Sequence, residues 1–186
     1  GMLPAGTMLA YGGAVESGAP LAVWKSAPAS PSTTLAARRI DLELALKEDL
    51  PSVAQIEREI AACSDHVLAE RLRRKRGVRR AVGDGTTSVM PIWLWRIGDA
   101  VLLAHPNEAF ARLQGELRAQ VPGRAIAALN LSNGGSVGYL PPRAVYGRDL
   151  YQVWQSPFAA GCHEAMVAAC ARAIGELVPA ATSASA

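Results

Sequence analysis

Two stretches of the sequence place oxygen-bearing side chains where the backbone must change direction. In Ala104-His105-Pro106-Asn107-Glu108 a carboxylate follows an apolar run, at the kind of strand end where open α/β folds hold their ligands. Glu108 also has an ordinary reading, because an acidic residue in a first helical turn complements the helix dipole. The second stretch, Asn133-Gly134-Gly135-Ser136-Val137-Gly138-Tyr139-Leu140-Pro141-Pro142, runs on to Tyr146 and Tyr151. Clustered glycines let a backbone approach a ligand, and the paired prolines stiffen the chain beyond them. The tyrosines read equally as packing aromatics whose hydroxyls reach solvent.

The remaining chemistry-bearing residues are sparse. His66, His105 and His163 show no H-x-H or H-x-x-x-H spacing, so a histidine cluster for a metal is not encoded. His105 lies three residues from Glu108 and could join it; the competing reading is a strand-end histidine bonded to backbone. Cys63, Cys162 and Cys170 form no C-x-x-C pair. The last two are eight apart in a helical pattern and read as small core residues, which suits a reducing compartment. There is no Gly-x-Ser-x-Gly elbow, P-loop or dinucleotide fingerprint.

The elements that must position these residues emerge from hydrophobic period and turn chemistry. Residues 1–36 are rich in Gly, Ala, Pro, Ser and Thr and read as a loosely held segment, with a short docked piece at Leu21–Trp24. Ile40, Leu42, Leu44 and Leu46 alternate with other residues, the period of a half-buried strand. From Pro51, with Asp49 or Leu50 at its cap, one long helix is predicted. Its stripe is Ile56, Ile60, Cys63, Val67, Leu68 and Leu72, and Gly77 or Gly83 ends it. Val89–Ile97 and Ala100–Ala104 form a hairpin about Gly98-Asp99, with apolar residues on both faces of the first strand. A second helix is predicted from Asn107, its N-cap, with Phe110, Leu113 and Leu117 inward. Arg124–Leu131 reads as a buried strand and Ser132–Asp149 as a long loop. Tyr151–Trp154 reads as a short strand and Ala159–Leu177 as the last helix. The fold class is therefore α/β or α+β: a layered sandwich of a mixed four- to five-stranded sheet with about three helices. One domain spans residues 37–178, and 179–186 form a polar, alanine-rich tail.

Composition narrows the function classes. The chain has 186 residues, half of them hydrophobic, and a formal net charge of +3. No run of eighteen apolar residues exists, which argues against a membrane-spanning helix. Met2-Leu3-Pro4-Ala5-Gly6 lacks a basic n-region, so no secretory signal is predicted and a cytoplasmic location is expected. Most of the excess of positive over negative charge comes from the run Arg71–Arg80. With no aromatic residue interleaved, that run reads as a solvated helix end rather than a nucleic-acid surface.

A family resemblance joins these segments. Arg96-Ile97-Gly98-Asp99-Ala100, His105-Pro106-Asn107-Glu108-Ala109-Phe110, Asn133-Gly134 and Gly138-Tyr139 resemble, in order, motifs of the neutral/alkaline (non-lysosomal) ceramidase-like family. That family shows a strand with IGD, a PGE turn entering a helix, an NG…GY loop, and a tyrosine segment before a final helix. The likeness covers roughly residues 38–177 and implies the C-terminal half of the family's core domain. It implies a zinc ion held by two histidines, a glutamate and a tyrosine, and cleavage of the amide of N-acylsphingosine. Glu108 and Tyr139 match the two oxygen ligands, with Tyr146 as the second tyrosine candidate. His105, Asn133, Gly134 and Gly138 fall in the surrounding loops. For Glu108 and Tyr139 to share a site, the strand Arg124–Leu131 must return beside Ala100–Ala104. This sequence departs from the pattern at Pro106-Asn107-Glu108 and at Ala109-Phe110, where the family has PGE and a threonine. The family's zinc histidines and catalytic serine belong to the N-terminal half. The expectation is half of a zinc amidase, inactive alone and completed by a second polypeptide or an N-terminal half. The alternative is a non-catalytic interaction module, paired as a homo-oligomer or completed by a partner, that keeps the fold.

Overall fold

Alternation of Ile40, Leu42 and Leu44 with charged neighbours gives β1 (Leu35–Ala45) one face to bury. The computed structural model describes residues 33–133 and 137–178. The expected N-terminal segment, with Leu21–Trp24, lies outside the described residues up to Ser32, and so does the tail from Pro179. Leu35 and Ala36, assigned above to that segment, already belong to β1.

Four strands make a mixed sheet in the order β1-β2-β3-β5, with β2 spanning Thr87–Ile97, β3 Ala100–Ala104 and β5 Ala125–Leu129. The β2–β3 hairpin turns at Gly98-Asp99, where Gly98 has a φ of 62°. β5 runs parallel to β3, with Ala100 opposite Ala125 and Ala104 opposite Leu129. The return expected of this strand is therefore made. Helices α3 (Arg112–Gln120) and α5 (Cys162–Leu177) lie on one face of the sheet. Leu113, Leu117, Met166, Cys170 and Ile174 meet Leu44, Met90, Ile92, Leu94, Val101, Leu103 and Ile126 in the core. Cys162 and Cys170 are both buried there, in line with the reading of the sequence.

Three elements differ from expectation. The long helix is two, α1 (Val53–Ala62) and α2 (His66–Val82). Asp65 caps α2 by accepting from the amides of Val67 and Leu68 at 2.8 and 3.1 Å, and so restarts the helix instead of continuing it. α1 is capped by Ser52, in a reciprocal box with Gln55, rather than by Asp49 or Leu50. Gly77 lies inside α2, and Gly83 ends it at a φ of 80°. Of the expected stripe Ile56 and Leu72 are buried, but Val67 and Leu68 face solvent.

The second correction is at Asn107, which caps no helix. Its side chain is fully buried and donates to the Gly138 carbonyl at 3.4 Å. Glu108–Ala109 instead form a short strand, β4, parallel to β6 (Tyr139–Leu140). Tertiary pairing has overridden a local helix start. Phe110 is only half-buried, while Leu113 and Leu117 point inward as expected. The third correction is Tyr151–Trp154, which belongs to a one-turn helix, α4 (Tyr151–Gln155). Tyr151 and Trp154, three apart on that turn, sit under the cations of Arg71 and Lys75 from α2, at 5.5 and 4.6 Å.

The sheet's other face has no helix on it among the described residues. By strand alternation it carries Leu35, Ala37, Arg39, Asp41 and Glu43 from β1, Trp93, Trp95 and Ile97 from β2, Leu102 from β3 and Ala127 from β5, so it is apolar toward the hairpin end and charged along the rest of β1. Leu35 is 76% exposed, Ile97 51% and Trp95 38%. The expectation that both faces of β2 are apolar holds.

Candidate functional site

The site is built where β3 runs out. His105 donates its amide to the Leu129 carbonyl at 3.2 Å and accepts from the Ser132 amide at 2.9 Å; the Asn107 carbonyl accepts from Leu131 at 3.1 Å. These bonds carry the β3–β5 pairing past Ala104 and then turn the chain at Pro106. The Glu108 amide donates to the Gly138 carbonyl at 3.2 Å, which locks β4 onto β6 with Glu108 directly opposite Tyr139. Gly138 has a φ of 84°. A β-carbon there would lie 2.9 Å from Pro157 Cδ and 3.2 Å from Val78 Cγ1. Both the conformation and the space require glycine.

Glu108 and Tyr139 thereby line one open cleft of about 300 Å³, walled on the far side by Arg74, Gly77 and Val78 of α2 and by Tyr151 and Gln155 of α4. The Tyr139 and Tyr151 rings meet edge to face, 5.9 Å between centroids. Partial burial, and then the charge of Glu108, push the Tyr139 phenol above its ordinary range, so at neutral pH it is a protonated donor facing a carboxylate. Gln155 fixes the α4 wall to α2 by donating to the Arg71 carbonyl at 3.0 Å.

The other sequence-nominated residues divide. Gly138 lines the cleft. Asn133 is exposed at a φ of 59° and does not line it, and Gly134 lies outside the described residues. Tyr146 is elsewhere: its hydroxyl donates to the Phe158 carbonyl at 2.9 Å, and burial pushes its phenol up to about 12. His105 is fully buried beneath the turn, with neither ring nitrogen in a hydrogen bond of ordinary geometry. The expected ring-to-backbone bond is therefore not made, although His105's own backbone is paired. Desolvation, partly offset by the neighbouring Asn130 side chain, lowers the ring's pKa to about 4. His163 is also buried and bonds Glu116 at 2.8 Å, on α3. Arg74 was missed as a lining residue because the basic run reads as solvent-facing; its spacing from Arg71, one turn of helix, is the signal that places both on one face.

No family model matches the chain, and no curated protein matches it. Two solved structures are similar to parts of it. One, "Ceramidase complexed with C2", is 25% identical over 53% of this chain and 17% of its own, with a TM-score of 0.37. The other is a neutral ceramidase from Pseudomonas aeruginosa, 17% identical over 82% of this chain and 30% of its own, with a TM-score of 0.42. Both neighbours are ceramidases. The chain spans less than a third of the length of either.

Whether this cleft fits a zinc ion is a question of donors. A carboxylate and a phenol are acceptable oxygen ligands, and here they sit opposite each other across paired strands. Among the described residues no group of three or more His, Cys, Asp or Glu gathers to complete a shell. Arg74 lines the same cleft and opposes a cation. The pair fits two positions of a zinc site and does not close one. Among the described residues no helix is long and apolar enough to cross a membrane.

Proposed function

We propose that this chain is the glutamate- and tyrosine-bearing part of a ceramidase-like zinc amide hydrolase, with Glu108 and Tyr139 supplying two oxygen ligands. The observation that carries the proposal is their placement: the two residues singled out by the motif resemblance are register partners in β4 and β6 and line one cleft. When bound, zinc would polarise a carbonyl or activate a water at this position. The protein's own contribution is to hold the carboxylate and phenol side by side and to keep the cleft open beside the Tyr151 ring. The missing nitrogen ligands and nucleophile come from a second polypeptide or a preceding half, and the chain alone turns over no amide.

Metal binding by the full chain tests the proposal without needing turnover. Since the Tyr139 phenol is raised, zinc must displace its proton, so titration with zinc should bring up a phenolate absorption band that grows with pH. The band should weaken in Glu108→Gln and vanish in Tyr139→Phe. A band that survives Tyr139→Phe, or none at any zinc concentration, removes the assignment.

The apolar patch on the bare sheet face, around Leu35, Trp95, Ile97 and Leu102, favours a second reading: an interaction module whose patch is covered by another chain or another copy. The two readings share the partner and differ only in whether the cleft works.

A further inference from the structure

The cleft does not end at Tyr139. A second hollow of about 460 Å³ shares Arg74 and Tyr151 with it, and adds His66, Val67, Glu70 and Arg71. The two adjoin along α2, with Arg74 and Tyr151 lining both. The ends of this trough differ in charge: Glu108 stands at one, and at the other Arg71 and Arg74 outnumber Glu70. Among the described residues no carboxylate pairs with Arg71, whose guanidinium is instead held over the Tyr151 ring at 5.5 Å. Glu70 is shared between Arg73 at 3.6 Å and Arg74 at 3.2 Å, so a single carboxylate answers two guanidinium groups and leaves the third. Lys75, on the next turn, rests on Trp154 and adds to the positive field. Apolar side chains line the same trough: Val67, 50% exposed, beside Arg71, and Val78 with Leu131, 54% exposed, near Glu108. Isolated exposed aliphatics are ordinary, but these border a concave, ring-lined surface.

We propose that this trough binds an anionic amphiphile, its carboxylate or phosphate on Arg71 and Arg74 against the Tyr151 edge and its apolar chain running toward Val78 and Leu131. An arginine pre-oriented on a ring is suited to a forked contact with either anion, which lysine does not reproduce. From Arg71 to Val78 the helix rises about 10 Å, enough for a chain of medium length. Glu108 repels an anion and so sets the orientation, with the headgroup at the arginine end. The inference uses α2 and α4 and does not rest on zinc.

Calorimetric titration of the full chain with decanoate, decyl phosphate, decanol, decyltrimethylammonium and inorganic phosphate tests it. Both anionic decyl compounds should bind about tenfold more tightly than decanol, the size of one charge-assisted contact. The tighter of the two identifies the headgroup. The double variant Arg71→Gln/Arg74→Gln should lose that preference and keep the decanol affinity. Its melting curve reports whether it is folded. Should it not fold, Arg71→Lys, which keeps the charge and loses the fork, should weaken the preference without abolishing it. Tyr139→Phe should leave the preference in place while removing the zinc-dependent band, which separates this inference from the metal assignment. Equal binding of decanol and decanoate, tighter binding of the ammonium, or inorganic phosphate binding as tightly as decyl phosphate would each overturn it.

Discussion

An imidazole that is fully buried and makes no hydrogen bond through either nitrogen must remain neutral for the fold to hold, and His105 is in that state. Its ring titrates at about 4 in the folded chain, against an ordinary 6.5. Between those values the unfolded chain binds the extra proton, so stability is complete above the ordinary value and falls as pH drops toward 4. The full loss is on the order of 3 kcal/mol. Urea midpoints measured across that window should decline with acid in the native protein. The decline should be visibly flatter in His105→Leu, which has no proton to take up. An unchanged slope would mean that other groups carry the acid sensitivity. Because His105 sits under the turn that delivers Glu108, the same protonation should loosen the cleft before it unfolds the sheet. The sequence showed the histidine's position at a strand end; it could not show that the ring faces inward with no partner, since that depends on β5 and the Asn130 region folding over it.

At the scale of elements, the break between α1 and α2 shows how one side chain redirects a pattern. The apolar period runs unbroken through Cys63-Ser64-Asp65, so periodicity alone yields a single helix. Asp65 nevertheless accepts two amide hydrogens and caps a new one. Asp65→Ala should therefore destabilise the protein by about 1 kcal/mol, read from thermal or urea unfolding. It should disturb α2 more than the sheet, seen as faster amide exchange over His66–Leu72. Equal exchange there would mean the break is set by packing rather than by the cap. The residues that were legible are those whose environment is local: the β1 alternation, the Gly98-Asp99 hairpin, β5 and the α5 stripe. Those misread owe their structure to distant partners. Asn107 and Glu108 are drawn into strand pairing by Gly138, thirty-one residues beyond Asn107, and α4 is held by Arg71 and Lys75. The convergence of Glu108 with Tyr139 was legible only through motif resemblance. Nothing in their own flanking sequence specifies a two-residue parallel pair, too short to leave a periodic signal.

Across the whole molecule, the sheet is covered on one face and bare on the other among the described residues, and the bare face carries an apolar patch at the hairpin end, with Arg39, Asp41 and Glu43 of β1 beyond it. A mainly antiparallel sheet can leave one face to solvent, but that face is then ordinarily polar, and exposed contiguous apolar surface marks an interface. Trp95 sits at its centre, paired with Ala37 and Leu102 on the neighbouring strands. Covering its exposed third would contribute about 2 kcal/mol by area, and Leu35 and Ile97 border the same hollow. With no other polypeptide present, the face should find a second copy. Sedimentation of the full chain should show concentration-dependent association, and Trp95→Glu should shift it to monomer, with a melting curve reporting that the variant is folded. Addition of a polypeptide that completes the domain should compete with that self-association, and should do so equally in Glu108→Gln, since the sheet face and the cleft lie on different elements. A native chain that stays monomeric at every concentration would show that the bare face needs no partner.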